Sequence, residues 1–303
     1  MIADKVKEEL TRQHYKIVGN HSGVKLCHWT KKSIKDEGFC YKQKFYGIES
    51  HRCMQMTPSI FSCTHNCIFC WRNIDFDYIN GDVKADNPKE IIDNAIIAQR
   101  QLLSGFGGIP ERINKKKFKE AQNPRHAAIS LAGEPTLYEK LDGLIEEFHK
   151  RNFTTYLVTN GTVPERLISL KNMPTQLYVS LVSPDEDTYE RICNPMITEG
   201  WKKINETLEL FNSFNTKKVI RLTLVKNLNM FNPEKYAKLI EKANPDYVEA
   251  KAFMFVGGSR QRLTIENMPS FQEIMEFSKK MENEVGYKIK DYKEDSRVVL
   301  LSK

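Results

Sequence analysis

No stretch of this 303-residue chain approaches the roughly 18 consecutive apolar residues that a membrane-spanning helix requires. Its opening, MIADKVKEEL, is charged and lacks the apolar core of a secretory leader, so a cytoplasmic protein is expected. Glycine (15 residues) and proline (12 residues) are too scarce for a collagenous or disordered chain. Internal repeats and low-complexity tracts are absent as well. A strong excess of one charge is also lacking. The net charge of +7 suits simple solubility and equally a polyanionic partner such as nucleic acid. Cysteine is missing from most of the length, since only Cys193 follows Cys70. What remains, 40% hydrophobic and 28% charged, is the composition of a globular protein with one large domain or two small ones.

The other six cysteines, Cys27, Cys40, Cys53, Cys63, Cys67 and Cys70, crowd into one early segment. In a reducing compartment such crowding reads as a ligand set for a metal or cofactor sooner than as disulfides.

Hydrophobic periodicity organises the rest. Ile2, Val6 and Leu10 share a face at helical spacing. The stretch from there to about residue 53 is rich in Cys, Gly and Lys, and is expected to need something other than an apolar core. Beyond it strands and helices alternate. Strands are expected at MQMTPSIF, AAISLA, FTTYLVT, QLYVSLV, KKVIRLTLV and YVEAKAFMFV, with RVVLL as a last edge strand. Helices are expected at 88–104, LYEKLDGLIEEFHK, PERLISL, GWKKINETLELFN, NPEKYAKLIEKA and FQEIMEFSKKMENEV. Six strands each followed by a helix imply parallel pairing with right-handed crossovers, in a barrel-like or doubly wound sheet. Gly133-Glu134, Thr159-Asn160-Gly161, Ser183-Pro184 and Gly257-Gly258 all follow strands, where such folds gather a ligand.

Cys63-Thr-His-Asn-Cys67-Ile-Phe-Cys70 has the spacing C-x3-C-x2-C, just after the first of these strands. Three thiolates so close suit three irons of a four-iron cluster and leave the fourth open to a substrate. Zinc, with His65 joining, is the competing reading. Structural zinc favours two separated cysteine pairs, and no second pair is found.

With the aromatic Phe69 before its third cysteine, this motif resembles the radical S-adenosylmethionine (SAM) superfamily. The resemblance implies an α/β fold, a partial (β/α)6 TIM-like barrel of the radical SAM type. It also implies that SAM chelates the open iron of a [4Fe-4S] cluster, and that electron transfer breaks a carbon–sulfur bond to give a 5′-deoxyadenosyl radical. Gly133-Glu134 resembles the superfamily's glycine-rich motif, where a carboxylate receives the SAM ammonium. Thr159, Asn160, Ser180, Ser183 and Arg221 are expected to meet the ribose and carboxylate of SAM. Phe69 and the backbone from Phe255 complete the expected SAM contacts, the latter near adenine.

Cys27, Cys40 and Cys53 are spaced by 13 and 13 residues. They lie in the segment least able to fold on apolar burial, so a second [4Fe-4S] cluster is expected to supply its core. Three packed, reduced thiols are the plainer alternative. On this reading residues 1–53 form an N-terminal extension holding the second cluster, and residues 54–303 form the partial barrel with its C-terminal elements. Cys193 reads as an ordinary thiol.

KQKFYGI, HRC-x-QMTP, the cysteine loop with Trp71, SLAGEPTLY, ICNP and GGSRQRL together resemble the archaeal-type tRNA 4-demethylwyosine synthases, over essentially the whole chain. The implied substrate is phenylalanine tRNA carrying N1-methylguanosine beside the anticodon. Pyruvate supplies two carbons, and the product is the tricyclic 4-demethylwyosine, so the enzyme is a lyase. Lys42 matches the family's lysine for a pyruvate imine, with Lys44 as neighbour. Burial near a cluster would reduce the basicity of such a lysine and favour the amine. Chelation of pyruvate by the open iron at Cys27, Cys40 and Cys53 is the alternative. For the anticodon loop, phosphate contacts are expected from Lys115, Lys116 and Lys117 with Lys119, and from Arg260 and Arg262 after the last barrel strand. Eukaryotic relatives carry a flavodoxin-like domain ahead of this core. Only about fifty residues precede the first strand here, so a separate electron donor, a flavodoxin or ferredoxin, is expected. A monomer without membrane contact completes the expectation. Another two-cluster radical SAM enzyme acting on a nucleic-acid base or a peptide is the alternative function, and an iron–sulfur carrier the non-enzymatic one.

Overall fold

The computed structural model describes residues 4–74 and 84–303, with side chains from Val6 onward. Ile2 of the expected N-terminal face lies outside the described residues. The chain divides into two compact units. The first comprises residues 1–62, 76–158 and 169–175, and the second residues 63–75, 159–168 and 176–303.

The first unit opens with α1 (Asp4–Arg12), β1 (Lys16–Val18) and β2 (Ser22–Val24). It continues through α2 (His28–Ile34), α3 (Tyr41–Tyr46) and β3 (Cys53–Thr57). Then follow α4 (Pro88–Leu103), α5 (Lys115–Ala121), β4 (His126–Ile129), α6 (Leu141–Lys150) and β5 (Thr154–Thr159). β3, β4 and β5 pair in parallel, while β1, β2 and β3 pair antiparallel. One face of the parallel strands is fully enclosed: Met54, Met56, Ala127, Ile129 and Leu157 lie on it in register. α4 starts where the sequence signals it, with Pro88 in the first turn and the Asn87 side chain accepting from Lys89 N at 2.9 Å.

The structure corrects one expectation here. The cysteine-rich extension has apolar support of its own. Leu26 and the fully buried Ile34 pack with Leu103 and Ala121, flanked by Leu102, Phe106, Ile113 and Phe118. Those partners lie some seventy residues along the chain, which is why no local periodicity revealed them. Val6, Leu10 and Tyr15 form a second small core with Ile60, Phe61, Leu131 and Ala132. The extension falls within the first unit.

The second unit contains the cysteine loop, α7 (Pro164–Ile168), β6 (Gln176–Ser180), α8 (Glu186–Cys193), α9 (Gly200–Leu210) and β7 (Lys217–Leu224). It ends with α10 (Pro233–Ala243), β8 (Tyr247–Ala252), α11 (Phe271–Glu284), β9 (Lys288–Lys293) and β10 (Val298–Ser302). β6, β7 and β8 are parallel. β10 then joins β8 antiparallel, and β9 pairs antiparallel with β10. RVVLL is thus an interior strand, with Val298 to Leu301 fully enclosed, and β9 takes the edge with alternating exposure. Within each unit the strands pair in mixed fashion, parallel strands carrying antiparallel additions, and the strand order does not close on itself. Among the described residues no helix is long and apolar enough to cross a membrane.

Candidate active site

In the first unit two helix starts and a strand start bring three thiols together. Cys27 precedes α2, Cys40 precedes α3, and Cys53 opens β3. The Ser50 hydroxyl fixes this arrangement, accepting from Cys40 N at 2.9 Å and donating to Gln43 Oε1 at 2.8 Å. The residues keep some exposed surface, but the sulfurs of Cys27 and Cys53 lie inside, and burial is the main cause of their raised pKa. Cys27 and Cys40 raise that of Cys53 further by charge repulsion, while Lys42 lowers both Cys27 and Cys53. The three thiols and this ammonium form one electrostatic group.

Lys42 is only 7% exposed, an unusual place for a lysine. Its position as the second residue of α3, two past Cys40, ties it to the thiols. Its Nζ lies 4.8 Å from the centroid of the Tyr156 ring, on β5. Tyr156 is a site residue that the sequence did not disclose. Burial, with Cys53 and Cys40 adding to it, raises its phenol above the ordinary value, so it stays protonated.

In the second unit the loop carrying Cys63, Cys67 and Cys70 is held from several sides. Asn160 Nδ2 donates to Thr64 Oγ1 at 2.8 Å, Thr64 and Thr162 share a 2.7 Å hydroxyl bond, and Thr162 Oγ1 returns to Asn160 Oδ1 at 2.7 Å. Gly258 N donates to Trp71 O at 2.8 Å, and a Cβ on Gly258 would stand 2.2 Å from Arg72 O. Only glycine lets these backbones approach so closely. Arg262 donates to the carbonyls of Ile68 (3.0 Å), Cys70 and Arg72 (3.2 Å). This guanidinium clamps the loop through its backbone carbonyls. Arg260 lies on the exposed side, over the Phe255 ring at 5.6 Å.

Arg72 is the second residue that sequence reasoning missed. It is buried, its Nε donating to Cys70 Sγ at 3.3 Å and its Nη2 to His65 O at 2.8 Å. Burial opposes its charge, but the sulfurs of Cys70, Cys63 and Cys67 hold the proton on and raise its pKa overall. The Trp71-Arg72 pair directly after the motif was the available signal.

The remaining expected SAM contacts are distributed over both units. In the first, Gly133 has φ +71°, and a Cβ there would collide with Ser59 O at 1.7 Å. Glu134 follows it, its N donating to Ser62 O at 2.7 Å and its buried Oε1 accepting from Thr136 Oγ1 at 2.7 Å. In the second, Thr159 Oγ1 accepts from Gly161 N, and Phe69 and Ser180 are half-buried. Arg221 is directly opposite Glu249 across β7 and β8, Nε to Oε2 3.0 Å, and covers the Tyr178 ring at 4.5 Å. Ser183 is 1% exposed, and its hydroxyl has no hydrogen-bond partner among the described residues. Lys115, Lys116 and Lys119 on α5 are exposed, whereas Lys117 pairs with Asp36 at 2.5 Å.

Residues 57–243 match the model of the radical SAM superfamily, and residues 242–303 that of wyosine base formation. The S-adenosyl-L-methionine-dependent tRNA 4-demethylwyosine synthase of Pyrococcus horikoshii is 57% identical over 98% of this chain and 88% of its own. That of Methanocaldococcus jannaschii is 41% identical, over 99% of this chain and 96% of its own. The chain belongs to the tRNA 4-demethylwyosine synthases of the radical SAM superfamily. A solved structure of the synthase TYW1 with a lysine–pyruvate adduct bound superposes with a TM-score of 0.91 at 41% identity, covering 100% of this chain and 96% of that one. A crystal structure of archaeal TYW1 gives 0.84 at 36% identity, with the same coverage. The residues present fit the superfamily's cluster and SAM. Cys63, Cys67 and Cys70 are thiols on one short loop, with a buried guanidinium to offset the negative charge of a thiolate-held cluster. The unsatisfied hydroxyl of Ser183 is the kind of atom a polar ligand completes.

Proposed function

We propose that this chain is the lyase that joins pyruvate to the N1-methylguanosine beside the anticodon of phenylalanine tRNA, forming 4-demethylwyosine. Buried Lys42, with its amine against Tyr156 and beside the Cys27, Cys40 and Cys53 thiols, is the observation that carries the reading. The family membership and the lysine–pyruvate adduct of the structural neighbour support it.

Cys63, Cys67 and Cys70 would hold the SAM-binding [4Fe-4S] cluster, and Cys27, Cys40 and Cys53 a second one. When bound, the cluster and SAM supply one-electron cleavage of a carbon–sulfur bond, and with it the means to abstract a hydrogen atom from the substrate methyl group. Lys42 Nζ adds as the free amine to the ketone carbon of pyruvate, and water leaves to give the imine. The Tyr156 ring packs against that nitrogen and excludes water from it. The methyl carbon, one hydrogen atom short, bonds to the imine carbon, and the bond from that carbon to the pyruvate carboxylate breaks, the carboxyl leaving with the odd electron as the one-electron fragment CO2•−. The exocyclic amine of guanine then takes the place of Lys42 on the imine carbon, closing the third ring and releasing the lysine as its amine. Ser183 and Glu134 are the best-prepared polar partners for SAM, the first by its unsatisfied hydroxyl and the second by a carboxylate oriented through Thr136. Exposed Lys115, Lys116, Lys119 and Arg260 serve the anticodon-loop phosphates. A separate flavodoxin or ferredoxin delivers the electron.

An anaerobic incubation of the reconstituted protein with methylated tRNA, pyruvate, SAM and a low-potential reductant tests this, read by nucleoside mass. The tricyclic nucleoside is expected with methylated tRNA only. SAM cleavage without that product would assign the chain to a different substrate.

A further inference from the structure

The ICNP segment makes a contact that neither cluster uses. Thr64–Ile68 runs antiparallel to Ile192–Met196 in one register. Met196 N donates to Thr64 O at 2.9 Å, Asn66 N to Asn194 O at 3.1 Å, and Ile68 N to Ile192 O at 3.0 Å, with His65 opposite Pro195. These bonds lay the cysteine loop across the C-terminal end of α8, which finishes at Cys193 with Asn194 as its left-handed cap, and so bring Cys67 up against Cys193. Pro195 sits at the one bridge, opposite His65, in a non-hydrogen-bonded position where no N–H is required of it. His65, two residues before Cys67, shares its face. As a result one ligand atom each from His65, Cys67 and Cys193 lies within 4.8 Å of the others.

His65 is 3% and Cys193 0% exposed. His65 Nε2 shares a 2.7 Å hydrogen bond with the Tyr189 hydroxyl, which orients the ring and leaves Nδ1 for another partner. Two thiols and an imidazole are three of the four donors of a tetrahedral zinc-type site, whose ligand atoms stand about 3.5–4 Å apart.

We propose that His65, Cys67 and Cys193 form a mononuclear site for a thiophilic divalent cation of the zinc type in protein that carries no cluster, so that this ion and the cluster compete for Cys67. The site rests on the geometry alone; the competition rests also on the proposed role of Cys67 as a cluster ligand.

The test titrates cluster-free full-length protein anaerobically with Co²⁺, followed by Zn²⁺. One cobalt equivalent with thiolate charge-transfer and tetrahedral absorption is expected, displaced by zinc. Cys193→Ala should lose that equivalent and leave any other cobalt bound. Cys193→Ser and His65→Gln should weaken it at least about tenfold, and serve in place of the alanine variant if that fails to fold. Cys63→Ala should keep it. Unchanged cobalt stoichiometry and affinity in the folded Cys193 and His65 variants would overturn the proposal. So would loss of the same equivalent in Cys63→Ala, which would put the ion on the cluster thiols. Iron content after reconstitution, with and without zinc, separates this from the cluster assignment: failure of the wild type to take up iron without zinc refutes that assignment and leaves the cobalt result standing.

Discussion

Arg72 donates to Cys70 Sγ across 3.3 Å while remaining buried, so a positive charge is built into the cysteine loop itself. A cluster held by three thiolates is anionic, and a neighbouring guanidinium favours its assembly and its reduction. Replacing Arg72 with Ala should reduce retention of the SAM-binding cluster about 10–100-fold, as loss of an outer-sphere partner commonly does. Its reduction potential should become more negative. Arg72→Lys should recover part of both. Iron analysis and potentiometry decide it, and an unchanged potential in Arg72→Ala would refute the electrostatic role.

Gly258 can be tested without removing any polar group. A Cβ there meets Arg72 O at 2.2 Å, so Gly258→Ala should unseat the cysteine loop. With both clusters of the proposed function in place, iron should fall from about eight to about four atoms per chain, because the Cys27, Cys40 and Cys53 thiols do not touch this contact. Gly286→Ala, where nothing lies within 4 Å, should keep the full complement.

The two arginines of GGSRQRL should separate. Arg260→Ala should weaken tRNA binding and reduce the salt slope by about one unit, with iron content intact. Arg262→Ala should lose iron first, since its guanidinium holds the carbonyls of Ile68, Cys70 and Arg72. Identical phenotypes would contradict the division of roles.

Borohydride added with pyruvate should label Lys42. Lys42→Ala should make no tricyclic product yet retain both clusters and SAM cleavage. Labelling at Lys44 instead would transfer the role to its neighbour.

Acid should destabilise the first unit through His126. Burial holds this imidazole neutral, with its pKa down to about 4 from an ordinary 6.5, and Nδ1 and Nε2 are engaged by Thr154 Oγ1 and Glu49 N. The unfolded chain takes up a proton near pH 6.5 that the folded chain refuses until about pH 4. The contribution to stability is therefore present above about 6.5 and is lost as pH falls from there to about 4. Urea midpoints at pH 7.5 and 5 should differ more for the wild type than for His126→Gln. Equal differences would show that His126 does not carry the effect.

Six strands, their helices, both cysteine sets and Lys42 were legible because their signals are short-range. Alternation, helical spacing and motif intervals all lie within a few residues. Several elements stayed hidden for the opposite reason. β1, β2 and α3 are too short to show a period, and the alternating β9 carries four charged residues in six. The core beneath Cys27 is completed by Leu103 and Ala121, far along the chain.

Sequence alone thus singled out the residues proposed to bear the chemistry: three thiols on one loop, three more at even spacing, and a lysine beside them. Tertiary structure decided what each charged or polar side chain does. It placed Tyr156 against Lys42, set Arg262 on the carbonyls of the cysteine loop, buried Arg72 beside Cys70, and brought Cys193 onto Cys67 from 126 residues away. Those outcomes follow from strand register and from which backbone carbonyls come within reach of a guanidinium. Both are set by packing between segments distant in sequence, and no interval along the chain encodes them.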